Sequence, residues 1–215
     1  MSAVPSHQSA PFHATRRIFQ TRISSAYRGI RVWKTRRVAV ESPLMSWIDL
    51  PHTRGCIVCG RDNPMSLGLQ LRVNSENGVV SVEFTPREQH IGLQGVVHGG
   101  VIATVVDEAM VWAATWAGRR FCVCGEMSIR FRHSAAVGQP LLITARVASK
   151  RAKLIQTSAE VRQGDAIIGS ATGKYVPLSE ERHMGFVGTF VDEPATSAAA
   201  AELRAQGHSS RDSYA

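Results

Sequence analysis

The chain has 215 residues, 44% hydrophobic and 20% charged, enough for one substantial core. Its net charge of +8 sits at one end. Residues 1–40 carry eight basic side chains (Arg16, Arg17, Arg22, Arg28, Arg31, Lys34, Arg36, Arg37) and no acid, so from Glu41 onward 25 − 8 = 17 basic residues balance 17 acidic ones. A formally neutral domain argues against a nucleic-acid partner, which would need a basic folded face.

Residues 1–44 have the composition of a mitochondrial transit peptide, and equally of a basic appendage or of sequence lying upstream of a start at Met45. They lack an apolar core followed by a small-residue cleavage site, so secretion is not expected. The expected location is the cytoplasm, with the mitochondrial matrix as the alternative if the leader is a transit peptide. One domain is expected over 45–180, followed over 181–215 by a tail with one short helix, around the alanine run Ala198–Ala201, and then disorder. Cys56-x-x-Cys59 and Cys122-x-Cys124 admit two readings in a chain without an export signal: a four-sulfur zinc site, or buried and loop thiols without a metal.

Periodicity then sets the fold. Leu67–Val73 and Val79–Phe84 alternate about Asn74–Gly78 and predict a β-hairpin. A loop through Gly92 and Gly95 leads to His98-Gly99-Gly100 and to a predicted helix of about four turns over Val101–Ala117. That helix is apolar nearly all round and should be buried. It is the longest apolar stretch, and Asp107 and Glu108 interrupt it, so no membrane span is expected. Met127–Arg132, Pro140–Val147, Leu154–Val161 and Ala166–Val176 return to a period of two and predict an antiparallel meander. The whole is an α+β fold, a curved antiparallel sheet of about six strands wrapped around one long central helix.

Two carboxylates inside a greasy helix need an explanation, because an ionised acid in apolar surroundings costs several kcal/mol unless it is paired. Either they occupy the one exposed stripe of the helix or they mark a site. Neighbours on a helix diverge by about 100°, so only one of Asp107 and Glu108 can face a given cleft. His98-Gly99-Gly100 adds a second feature, since glycines at a helix start let another molecule approach N–H groups that carry partial positive charge. From His98 to Asp107 the helix rises roughly 13 Å and turns about 180°. One chain cannot easily aim both at one atom, whereas two antiparallel helices related by a twofold can; the spacing therefore predicts a composite site in an oligomer.

The run Gly95-Val-Val-His-Gly-Gly-Val-Ile-Ala-Thr-Val-Val-Asp-Glu-Ala109 resembles the signature of hotdog-fold acyl-CoA thioesterases, the group containing the phenylacetate-pathway and 4-hydroxybenzoyl-CoA thioesterases. The likeness spans roughly residues 56–177, from Cys56-Ile-Val-Cys-Gly-Arg-Asp-Asn-Pro64 through Met127-Ser-Ile-Arg-Phe131 to Gly138 and beyond. It implies a hotdog sheet, homodimers or homotetramers with composite active sites, and hydrolysis of an acyl-CoA substrate without metal or other cofactor. It further implies Asp107 as nucleophile or general base, a backbone N–H of Gly99 or Gly100 as oxyanion donor, and His98 as an orienting group. Some relatives carry Asn where this chain has Gly92, so Gln94 is the candidate to position the thioester or water. A Ser or Thr often stands where Cys124 is, and a proline common near Ser134 is missing.

Glu108 is a candidate for assisting Asp107 or for pairing with a base as a structural group. CoA phosphates need basic partners, and Arg130, Arg132 and the turn carrying Lys150, Arg151 and Lys153 are candidates beside the plainer reading of a solvated turn. Met110, Trp112 and Trp116 are expected to pack the core rather than line an acyl pocket. A non-hydrolytic acyl-CoA-binding module or dehydratase-like enzyme of the same fold is the alternative, and neither a nucleic acid nor a membrane is expected as a partner.

Overall fold

A computed structural model describes residues 47–205; the basic segment 1–44 and residues 206–215 lie outside the described residues. Seven strands form one antiparallel sheet: β1 (Trp47–Asp49), β2 (Arg72–Asn74), β3 (Val80–Phe84), β6 (Cys122–Phe131), β7 (Leu141–Arg151), β8 (Leu154–Gln163) and β9 (Ala166–Pro177). Their spatial order is β1-β2-β3-β7-β8-β9-β6. A small hairpin, β4 (Ile91–Leu93) with β5 (Val96–Val97), stands apart and feeds the helix α1 (Gly99–Gly118).

α1 packs along the sheet, mainly against β7 and also against β6, β8, β9 and β3. This is the expected hotdog architecture. The helix has the length and apolarity of a membrane span, and the fold accounts for both: Ile102, Val105, Val106, Ala109, Met110, Ala113 and Ala114 are buried against sheet residues such as Val82, Leu141, Ile143 and Ile155. Met110, Trp112 and Trp116 are likewise buried in the core. Trp112 meets Phe121 edge-on at 5.3 Å between ring centroids, so it packs the aromatic core as expected.

Two expectations are corrected. The last four strands do not form a meander in chain order, since β6 pairs with β9 at the far edge while β7 takes the place beside β3. The connections carry the reason. Two-residue turns at Ala152-Lys153 and Gly164-Asp165 force β7, β8 and β9 into hairpins, with Gly164 at φ +56° in the left-handed region. The longer 132–140 connection leaves β6 free to settle where α1 delivers it. The first strand of the predicted hairpin is also shorter than its alternation suggested. Only Arg72–Asn74 pairs with β3; Leu67 and Leu69 instead hydrogen-bond to Ile57 and Val58 of the loop beside α1.

In place of a tail after residue 180, α2 (Glu180–Val187) and α3 (Ser197–Ala205) cover one end of the core. α3 contains the alanine run, and it buries Ala199, Ala200 and Leu203. The ring of His183, fully buried, accepts from Phe121 N–H at Nδ1 (3.0 Å) and meets Leu203 O at Nε2 (3.0 Å), fastening both helices to the start of β6.

Candidate active site

His98 is the N-cap of α1. Its Nδ1 accepts the Gly100 N–H at 2.8 Å, which fixes the proton on Nε2, and its carbonyl accepts from Val101 and Ile102. These bonds distinguish the two glycines. The Gly100 N–H is occupied by His98 Nδ1 in this structure. The Gly99 N–H finds no acceptor among the described residues and opens on a cleft of about 310 Å³ lined by Val97, Ile102, Phe131, Arg132 and Ser134. At a helix terminus such a donor favours negative charge.

Asp107 lies in the middle of α1, half-buried. Tyr175 of β9 donates its O–H to Asp107 Oδ1 at 2.7 Å. The sequence reading missed Tyr175. Its cross-strand partner is Cys124, and both side chains interact with Asp107, so one carboxylate, one phenol and one thiol meet where β6 and β9 pair. Burial and the Asp107 carboxylate push the phenol well above its ordinary range, which keeps it a proton donor. Burial and the same carboxylate also raise the Cys124 thiol, so Cys124 sits there as a neutral thiol. A detectable signal for Tyr175 was Gly173, two residues earlier: a Cβ there would stand 2.5 Å from the Tyr175 ring, so glycine makes room for it.

Glu108 points elsewhere, as the 100° rule requires. Its Oε1 accepts from Trp112 Nε1 at 3.0 Å and lies 3.6 Å from Cys59 Sγ and 3.9 Å from Cys56 Sγ. Among the described residues no base pairs with it, which corrects that part of the expectation. Burial pushes its carboxyl up to about 7, and the neighbouring Cys56 adds to the rise. Of the two readings of the cysteines, the four-sulfur site is not formed, for Cys56 and Cys59 converge with Glu108 rather than with Cys122 and Cys124.

The remaining candidates are scattered. Gln94 is exposed on the β4–β5 turn, and among the described residues it makes no hydrogen bond toward Asp107. Arg130 lies on the open face of the sheet among Ser128, Thr144 and Ser158, while Arg132 lines the Gly99 cleft. Lys150, Arg151 and Lys153 flank the last turn of α1, about 28 Å from its start by helical rise. Lys150 Nζ donates to Ala117 O at 2.6 Å and so caps that terminus.

Residues 94–169 match the model of the thioesterase superfamily. Acyl-coenzyme A thioesterase 13 of Homo sapiens and its namesake from Pongo abelii are each 30% identical over 121 residues, covering 55% of this chain and 82% of theirs. A solved thioesterase superfamily protein superposes with a TM-score of 0.53 at 27% identity, and the match covers 57% of this chain and 60% of that one.

Proposed function

The chain belongs to the hotdog-fold thioesterase superfamily and is a thioester hydrolase, and we propose that it cleaves acyl-CoA esters with Asp107 as the reacting carboxylate. The observation that carries this reading is the 2.7 Å bond from the Tyr175 O–H to Asp107 Oδ1. It holds one carboxylate oxygen by a charge-assisted bond and leaves Oδ2 for chemistry. Oδ2 either takes a proton from water, whose oxygen attacks the thioester carbon, or attacks that carbon itself to give an anhydride that water then opens. Both routes place negative charge on the former carbonyl oxygen and expel CoA as thiolate, which leaves protonated. The Gly99 N–H is the donor suited to that oxygen.

In one chain Asp107 does not line the Gly99 cleft. The reading therefore includes a homodimer in which Gly99 of a second copy meets Asp107. Support comes from β6, a ten-residue edge strand with one side unpaired among the described residues, and from the exposed Val123, Phe131 and Val176 on and beside it. Such an edge is a template for another strand. The acyl-CoA substrate is argued from the named relatives, and Arg132 beside Gly99 is the base best placed for a phosphate.

Complementation tests the composite site. Gly99→Pro removes the donor while keeping a helix start that tolerates proline, since His98 is already extended at φ −62°, ψ 128°. Gly99→Pro and Asp107→Asn are each expected to be nearly inactive in thiol release. Hybrids of the two regain activity, because one of their two sites then holds Gly99 and Asp107 intact. Absence of recovery in verified hybrids would mean that each chain carries its own site.

A further inference from the structure

We propose that Cys56, Cys59 and Glu108 form a binding site for one divalent cation with thiolate affinity, zinc by its donor chemistry, which fastens the loop before β2 to α1 on the side of the helix away from Tyr175. The donor atoms of the three residues lie within 4.8 Å of one another. The separations from Glu108 Oε1 to Sγ are 3.6 Å and 3.9 Å, close to the roughly 3.5 Å sulfur-to-oxygen edge of a tetrahedron built on zinc bond lengths. Only a small adjustment separates this arrangement from a closed coordination shell.

The loop is shaped around the first sulfur. Val58 N–H and Cys59 N–H both point at Cys56 Sγ, at 3.3 Å and 3.5 Å, and Gly60 N–H closes the turn on Cys56 O at 3.0 Å. Gly60 admits no side chain, because a Cβ there would lie 2.5 Å from Arg54 O and Cys56 N. Backbone donors aimed at a sulfur favour thiolate, the form that binds metal.

The third donor comes from a different part of the chain. Glu108 is a carboxyl on an apolar helix, oriented by Trp112 Nε1 and facing two thiols with no cation paired to it among the described residues. Three groups, each an anionic ligand once it loses its proton, have been brought to one point. A divalent cation displaces those protons and neutralises the cluster. Water completes the fourth position. The metal stands outside the hydrolytic chemistry, because Asp107 turns the other way toward Tyr175; its role is to hold the 56–60 turn against the helix that carries the reacting acid.

The test is metal analysis of the untagged full chain purified without chelator, followed by cobalt(II) titration of the stripped protein. The expectation is about one zinc per chain and, with cobalt, a thiolate-to-metal charge-transfer band saturating at about one equivalent. The double substitution Cys56→Ser and Cys59→Ser abolishes the band, and Glu108→Gln weakens cobalt binding at least about tenfold while keeping it. Should either variant fail to fold, zinc added to the stripped parent protects Cys56 and Cys59, but not Cys124, from alkylation. Zinc below about a tenth of an equivalent with no cobalt band overturns the proposal, as does binding indifferent in both variants. A Cys56–Cys59 disulfide in metal-free isolated protein overturns it too.

Discussion

Tyr175→Phe isolates the one bond on which the assignment of Asp107 rests. The ring is fully buried against the sheet interior, so phenylalanine keeps its packing and deletes only the O–H that reaches Asp107 Oδ1 at 2.7 Å. A hydrogen bond to an ionisable partner contributes about 1.5–3 kcal/mol. If that energy is used to hold Oδ2 in its attacking position, kcat falls about tenfold to a hundredfold, at 1.36 kcal/mol for each factor of ten. KM should change little, because the phenol acts through the Asp107 carboxylate. The same loss in the ground state would lower the melting temperature by about 3–12 °C for a domain of this size. Steady-state thiol release followed with a chromogenic disulfide reagent, beside a thermal melt, separates the two. A lower melting temperature with unchanged kcat would refute the reasoning, since it would make the bond purely structural.

Three further outcomes are expected. His183→Ala leaves Phe121 N–H and Leu203 O without their buried partner, which costs about 2–4 kcal/mol, lowers the melting temperature and exposes α3 to limited proteolysis; an unchanged melt would contradict the packing of the C-terminal helices. Lys150→Met removes the cap on Ala117 O and slightly lowers the melting temperature, with KM for CoA esters unchanged; a several-fold rise in KM would instead assign Lys150 to the substrate. In chelator-treated protein Glu108 has a folded-state pKa raised from 4.5 to about 7, so its contribution to stability is complete below about pH 4.5 and is lost as the pH rises through 7. Melts across that window should fall for the parent and stay flatter for Glu108→Gln, and parallel curves would remove Glu108 as the titrating group.

Much of this molecule was legible in its residues. The change of period from two to a continuous apolar run and back marks α1 and the strands around it, and the acids at 107 and 108 stand out because no other charged residue interrupts that helix. The strand order was not legible, because alternation reports which face a residue takes and not which strand lies beside it. Only the contrast between two-residue turns and the 132–140 connection bears on that. In the site, local spacing revealed the His98-Gly99-Gly100 helix start and Asp107, whereas Tyr175 lies 68 positions from Asp107 and is brought to it by the β6–β9 pairing. The grouping of Cys56 and Cys59 with Glu108 was hidden for the same reason. The sequence offered the two cysteine pairs only to each other or to no metal; the fold places the first pair against α1.

The most direct test of the central claim is thiol release from a panel of aryl, short-chain and long-chain acyl-CoA esters by the parent chain and by Asp107→Asn in oligomers of the same size. The account predicts hydrolysis of at least one ester by the parent and a loss of at least about a hundredfold in kcat in the variant. Hydrolysis that survives Asp107→Asn would contradict the role of Asp107, and a parent inactive on every ester would contradict the proposed acyl-CoA chemistry.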